Sequence, residues 1–178
     1  GTFDNHGSFI KPTGNLNISN AKNLKINCYE NSVFDVSNAI NIDGANNTDS
    51  IVFNVFSGSS LFSIGKDLSI SKGWLKIANS ISSGGSGIIV VGLPSIINIG
   101  GQLNVSNSAL RLKNYGTFNV AKAINLEGKY TKEIFNYNYL NCNNSLNITG
   151  NGQNTASVSI NNYSIFNVTR HLNSSYNN

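Results

Sequence analysis

One short pattern recurs along the whole chain and leaves few folds open to it. Its clearest copy is NYGTFNVAKAINLEG, Asn114 to Gly128. A turn leads into a short strand with Phe118 and Val120 on one face and Asn119 on the other. After a bend, a second strand, Ile124-Asn125-Leu126, is closed by Glu127-Gly128. Alternation with a period of two marks a strand with one buried face. A pattern that short cannot enclose a core alone, so its recurrence points to copies that bury one another by stacking.

Aligned copies place first-strand anchors at Phe9, Phe34, Phe62, Ile97, Phe118, Leu140 and Phe166. The steps between them, about 21 to 35 residues, fall in the range of solenoid repeats. Ser60–Asn79 and Ser95–Asn114 align without gaps, with seven identities and apolar residues matched throughout the strand positions. A second strand follows the anchors at Leu16-Asn17-Ile18, Ile40-Asn41-Ile42, Leu68-Ser69-Ile70, Leu103-Asn104-Val105 and Leu146-Asn147-Ile148. A third includes Leu24-Lys25-Ile26, Leu75-Lys76-Ile77 and Leu110-Arg111-Leu112.

These triplets predict an all-β, right-handed parallel β-helix (β-solenoid) with three short strands per coil and about six to seven coils. It forms one domain over residues 1–178, with a loop excursion at 80–94. An antiparallel sandwich competes, but it would not require the same residue type at the same place in every repeat. After Tyr130 the third strand is poorly marked, with Ile134 as its expected inward residue.

Asparagine makes up roughly a fifth of the chain, far above ordinary usage. Regularly spaced Val, Ile, Leu and Phe argue against the disorder that such polarity would otherwise suggest. Asn5, Asn31, Asn114, Asn136 and Asn162 occupy the turn before the first strand. There an asparagine tolerates left-handed backbone angles and can bond its copy in the next coil as a ladder. Asn17, Asn41, Asn104, Asn125 and Asn147 lie between inward residues and so face outward. Eight Asn-x-Ser/Thr sequons occur; Asn17, Asn104, Asn147 and Asn167 are the outward ones, open to glycosylation in a host with the machinery.

The motif N-Y-G-T-F-N-V followed by A-I-N-L-E-G resembles the Asn-x-Gly-x-apolar repeats of filamentous-haemagglutinin-type adhesins and related autotransporter passengers. The likeness extends over nearly the whole chain. The Asn-Pro-Asn-Gly motif of that family's secretion domain does not occur, so the resemblance implies repeat shaft and a location outside the cell or on its surface.

Chemistry is sparse. Glycoside hydrolysis needs two carboxyl groups across the scissile bond, and the chain has only eight acids, several in turns such as Asp43, Asp49 and Glu127. Asp35 faces outward with Ser63 and Lys11 as its neighbours. His6 and His171 lack the spaced partners of a zinc site. No catalytic residue, metal ligand or cofactor is therefore expected. The net charge of +4 is not gathered into a run, which argues against nucleic acid, and the longest apolar stretch is too short to enter a membrane.

Tyr115, Tyr137 and Tyr163 follow the turn asparagine in successive coils, with His6 at the same place in the first. They form either an aromatic ridge for host or surface glycans or a rigid corner. Cys28 and Cys142 lie coils apart, beyond the roughly 7 Å Cα limit of a bridge, and are expected to be free buried thiols. The expected role is a non-catalytic structural or adhesive shaft segment whose partners are adjoining repeats of a longer chain. The alternative is a subunit that stacks head-to-tail on other copies of itself into an extracellular filament.

Overall fold

The computed structural model describes residues 1–29, 32–46, 49–55, 61–72, 74–79, 96–106, 108–128, 130–151 and 157–177, with the backbone alone at 74–79, 151 and 176–177. The described chain holds strands and no helix. In chain order the strands fall into ranks of three. The first rank is β1 (Thr2–Asn5), β2 (Phe9–Ile10) and β3 (Leu16–Ala21), followed by β4 (Leu24–Cys28), β5 (Val33–Val36) and β6 (Ile40–Gly44). Next come β7 (Ser50–Val55), β8 (Leu61–Ile64) and β9 (Leu68–Lys72), then β10 (Trp74–Asn79), β11 (Ile96–Ile99) and β12 (Leu103–Ser106). The later ranks are β13 (Ala109–Asn114), β14 (Thr117–Val120) and β15 (Ile124–Glu127); β16 (Lys132–Asn136), β17 (Tyr139–Cys142) and β18 (Leu146–Asn151); and β19 (Val158–Asn162), β20 (Ile165–Val168) and β21 (Leu172–Asn177).

Every third strand belongs to the same sheet. Sheet A runs from β1 to β19, sheet B from β2 to β20 and sheet C from β3 to β21, each with seven strands. All the pairings are parallel. This is a three-sided β-solenoid, and the repeat reading of the sequence accounts for it. In sheet C the predicted triplets stand directly over one another, Leu103-Asn104-Val105 on Ile124-Asn125-Leu126 on Leu146-Asn147-Ile148.

The core lies along the axis. Phe34, Phe62, Ile97, Phe118 and Leu140 are consecutive partners in sheet B and are buried. Phe34 and Phe62 stack at 5.1 Å. Ile134 is buried as expected.

The first anchor is displaced by one residue. Phe9 pairs with Val33, while Ile10 pairs with Phe34 and takes the inward place. Phe9 is 73% exposed. In a strand a shift of one residue turns the side chain to the other face, so the sequence alignment had chosen the wrong member of an adjacent apolar pair. The corners are tight: a Cβ at Gly65 would collide with the Ser37 carbonyl, and one at Gly100 with the Gly65 carbonyl. The expected excursion at 80–94 lies outside the described residues.

Candidate functional surface

The turn ladder sits where sheet A strands end. Asn114, Asn136 and Asn162 are register partners and the last residues of β13, β16 and β19. Asn114 Nδ2 donates to Asn136 Oδ1 at 2.6 Å, and Asn136 Nδ2 donates to Asn162 Oδ1 at 2.8 Å. Each amide also reaches the carbonyl that opens the sheet B strand of the next rank: Asn114 to Tyr139 O and Asn136 to Ile165 O, both at 2.8 Å. The rung therefore closes one corner and locks it to the next.

Asn5 makes the equivalent bond to Val33 O at 3.2 Å. Its partner in the following rank is Cys28, and Val55 stands beyond that. The ladder is thus interrupted by a thiol and a valine. Asn31, expected as a rung, lies outside the described residues, and the register gives the rung position of its rank to Cys28.

The outward asparagines form ladders as well. In sheet C, Asn41 donates to Asn17, Asn125 to Asn104, Asn147 to Asn125 and Asn173 to Asn147, at 2.7–2.9 Å. Sheet B carries Asn119 to Asn98, Asn141 to Asn119 and Asn167 to Asn141. Sequence reasoning placed Asn17, Asn41, Asn104, Asn119, Asn125, Asn147 and Asn167 outward but did not anticipate that these amides bond rank to rank. Each is a cross-strand hydrogen bond between identical side chains in register.

The ladders bear directly on the four outward sequons. The Nδ2 atoms of Asn104, Asn147 and Asn167 donate to Ser69, Asn125 and Asn141. A glycan attached there takes one of the two hydrogens and must emerge between rungs about 4.8 Å apart. Asn17 differs: its Oδ1 accepts from Asn41, and its Nδ2 makes no ladder bond among the described residues.

Tyr115, Tyr137 and Tyr163 are brought together. Their rings lie parallel, with centroids at 4.5 and 4.8 Å. The faces are spent on one another, so the side of this stack shows solvent only ring edges. Tyr163, at 65% exposure, is the most open of the three. Burial, and then the adjacent Tyr137 hydroxyl, raise the Tyr115 pKa. His6 stacks on Tyr29 at 4.0 Å in the same corner. Tyr29 follows Cys28 as Tyr115 follows Asn114, a partner that the search for a preceding asparagine passed over.

Beside this corner runs an apolar column that sequence reasoning missed. The first outward place of sheet B is held in turn by Phe9, Val33, Leu61, Ile96, Thr117, Tyr139 and Ile165; it is apolar apart from Thr117, and Phe9, Ile96, Tyr139 and Ile165 are exposed by 73, 38, 46 and 42%.

Charge is handled locally. Lys11 pairs with Asp35 at 3.6 Å, as their adjacent coils suggested, and Arg111 pairs with Glu133 at 2.6 Å. Lys25 shares the outward column of Arg111 through Val52 and Lys76. Lys132 is the unexpected charge, since it occupies the inward place of Leu110 and Val158 and is 1% exposed. Its ammonium donates to Glu127 O at 2.6 Å and Tyr130 O at 2.8 Å. Burial lowers its pKa to about 8, against a smaller upward pull from Glu127.

Cys28 and Cys142 are free and buried, and burial pushes the Cys28 thiol up to about 11. A shallow groove of about 260 Å³ crosses sheet C beside Asp43, whose carboxylate accepts from Ser71 Oγ at 3.1 Å. Among the described residues no group of three or more His, Cys, Asp and Glu side chains is placed to hold a metal ion. In comparisons with known proteins, no family model, no curated protein and no solved structure matches the chain.

Proposed function

We propose that this chain is a non-catalytic scaffold of an extracellular or cell-surface protein, a shaft segment of adhesin type. The observation that supports this reading best is the use to which the outward side chains are put. Amides that would be free to meet a small substrate instead bond rank to rank along sheets B and C. Such ladders resist sliding and bending without requiring a large core, which suits a rod that holds other parts at a distance.

The coils are right-handed on this reading, following the hand of nearly all parallel strand connections. The rod's natural neighbours are adjoining repeats. Host or surface glycans are the ligands proposed for it, with the stacked edges of Tyr115, Tyr137 and Tyr163 as the contact ridge. Of the four outward sequons, Asn104, Asn147 and Asn167 would carry a glycan on an amide nitrogen already used in a cross-strand bond.

Antibody labelling of intact producing cells, compared with permeabilised ones, tests the location. Equal surface signal from both supports the reading, and signal only after permeabilisation refutes it. A glycan array probed with the protein and with Tyr163→Ala tests the adhesive part. Binding that survives the substitution unchanged removes Tyr163 from that role.

A further inference from the structure

The fold gathers onto one corner a set of cations that the sequence scatters. From the second rank to the seventh, the turn between sheet B and sheet C is three residues long: 37–39, 65–67, 100–102, 121–123, 143–145 and 169–171. Backbone bonds hold these turns in register. Gly65 N donates to Val36 O, Gly100 N to Ile64 O, Ala121 N to Ile99 O, Asn143 N to Val120 O and Thr169 N to Cys142 O. The middle place of the turn therefore forms a column along the rod: Asn38, Lys66, Gly101, Lys122, Asn144 and Arg170. Within it Lys66 N donates to Asn38 O, Gly101 N to Lys66 O, Lys122 N to Gly101 O and Arg170 N to Asn144 O.

From the third rank to the seventh, this column alternates a cation with an uncharged residue. Lys66, Lys122 and Arg170 are exposed and stand two ranks apart, about 9.6 Å at one strand spacing per rank. Among the described residues none of the three side chains enters an ion pair. Asp67 is the one acid in these turns, and its Oδ1 accepts from Gln102 N at 2.7 Å.

The flanks leave the row unanswered. On either side runs an uncharged amide ladder, through Asn119 and Asn141 in sheet B and through Asn125 and Asn147 in sheet C. From residue 68 onward the chain carries eight Lys and Arg against two acids. Glu133 is held by Arg111, and Glu127 closes β15 at the other edge of sheet C. A line of like charges without local counter-charges attracts an anion of matching spacing.

The spacing decides the class of anion. Duplex DNA carries a charge about every 1.7 Å of its axis, far denser than one cation per two ranks. Two linked sugar rings advance a polysaccharide by about two ranks. A chain in which acidic and neutral sugars alternate therefore presents one carboxylate to each cation, with its neutral rings over Gly101 and Asn144. The ladders favour sugar as well. Each rung spends one amide hydrogen on its neighbour, and the second hydrogen stays available to a sugar hydroxyl. The Arg170 guanidinium can grip a carboxylate through two parallel bonds, while the lysines act as point charges.

We propose that this corner is a track for a linear acidic polysaccharide with one carboxylate per two sugars, laid along the rod with its carboxylates on Lys66, Lys122 and Arg170. Exposed ion pairs are individually weak, so a long chain gripped at several points binds and a single disaccharide does not. The tyrosine ridge stands at the opposite edge of sheet B, and the track rests neither on it nor on where the protein resides. Failure of the ridge as a glycan contact leaves the track standing, and failure of the track leaves the ridge.

Surface plasmon resonance on immobilised hyaluronan, which carries one carboxylate per disaccharide, tests the track. Wild-type protein is expected to bind at low salt and to release as salt screens the charges. Lys66→Gln, Lys122→Gln and Arg170→Gln together lower the affinity by about tenfold, the combined worth of three exposed pairs. Lys22→Gln, Lys25→Gln and Lys113→Gln together remove the same charge elsewhere and change it by no more than about twofold. Lys122→Gln combined with Asn144→Lys restores the charge but breaks the alternation, and binds as weakly as Lys122→Gln alone. Tyr163→Ala binds as wild type does. All these side chains are exposed or partly exposed, and circular dichroism checks that each variant folds.

Wild-type protein that ignores hyaluronan at low salt overturns the proposal. So does a loss as large in the Lys22, Lys25 and Lys113 variant, which would reduce the effect to overall charge. Full affinity in the variant with Lys122→Gln and Asn144→Lys refutes the spacing argument. Tighter binding to a single-stranded DNA oligonucleotide of equal length would make the corner a nucleic-acid surface instead.

Discussion

Replacing Lys132 with Met should stabilise the protein at neutral pH and remove a specific part of its pH dependence. The lysine is 1% exposed in the apolar interior, between Leu110 and Val158. Burial disfavours its charged form and lowers the pKa from 10.5 to about 8. The folded state therefore binds this proton less tightly than the unfolded chain does. Stability rises with pH between about 8 and 10.5, and the full penalty is present below 8. At about 1.4 kcal/mol per pKa unit the penalty is about 3 kcal/mol.

Methionine has similar volume and keeps the packing, but it gives up the bonds to Glu127 O and Tyr130 O, worth about 1 kcal/mol each. The net gain at pH 7 should be about 1 kcal/mol. The sharper quantity is the difference between the two proteins at two pH values, from urea unfolding at pH 7 and pH 10. Wild type should gain about 2 to 3 kcal/mol more than Lys132→Met between these pH values. The comparison cancels the opposing effect of Cys28, whose raised pKa costs stability between about 9 and 11 in both proteins. Parallel pH curves for the two proteins would refute the buried-amine argument.

Other outcomes follow from the core, the ladder and the corners. Phe118→Ala, at a fully buried site, should cost about 3 to 5 kcal/mol in chemical denaturation. Asn119→Ala loses only partly exposed ladder bonds to Asn98 and Asn141 and should cost about 1 to 2 kcal/mol; equal losses would contradict the inward and outward assignment. Asn136→Ala should cost about 2 to 4 kcal/mol, and Asn136→Asp more, because a buried carboxylate would face the Asn138 and Ile165 carbonyls that now accept from this amide. Gly100→Ala should destabilise by about 1 to 3 kcal/mol, since its Cβ meets the Gly65 backbone; an unchanged melting temperature would mean that the corner can widen. Cys28 and Cys142 should resist thiol reagents until unfolding, and a bridge between them in mass spectra would contradict the register.

The sequence was most legible where an apolar residue, a polar one and a second apolar one repeat without interruption. Leu16-Asn17-Ile18 and its copies marked sheet C in correct register, because only one face of such a triplet can enter the core. Phe9-Ile10 was ambiguous because two adjacent apolar residues in so short a strand name both faces, and only the pairing with Val33 and Phe34 decides between them. In the second rank the register puts Cys28 in line with Asn5, while the expected rung Asn31 lies outside the described residues. Five positions separate Cys28 from Val33, whereas three separate Asn136 from Tyr139, so an alignment by turn residue does not find Cys28.

Lys132 was hidden for another reason. Hydropathy excludes a lysine from an inward place unless nearby carbonyls can satisfy its ammonium, and Glu127 O and Tyr130 O are supplied by a corner that only the fold creates. The tyrosine column was found by position, but ring orientation depends on the spacing of ranks, and that orientation turns the faces away from solvent. Ladder direction is likewise a property of paired amides and not of any single residue.

Successive ranks stack at one strand spacing, so distance along the outer face of sheet C should count ranks. Spin labels at Asn17 paired in turn with Asn125 and Asn173, which stand four and six ranks away in the sheet order, measure this directly. Labelled protein diluted in unlabelled protein keeps the distances within one copy. Pulsed electron spin resonance should give separations centred near about 19 and about 29 Å, in proportion to rank at about 4.8 Å each. Separations that do not grow with rank, or a longer distance for Asn125 than for Asn173, would contradict the stacked solenoid.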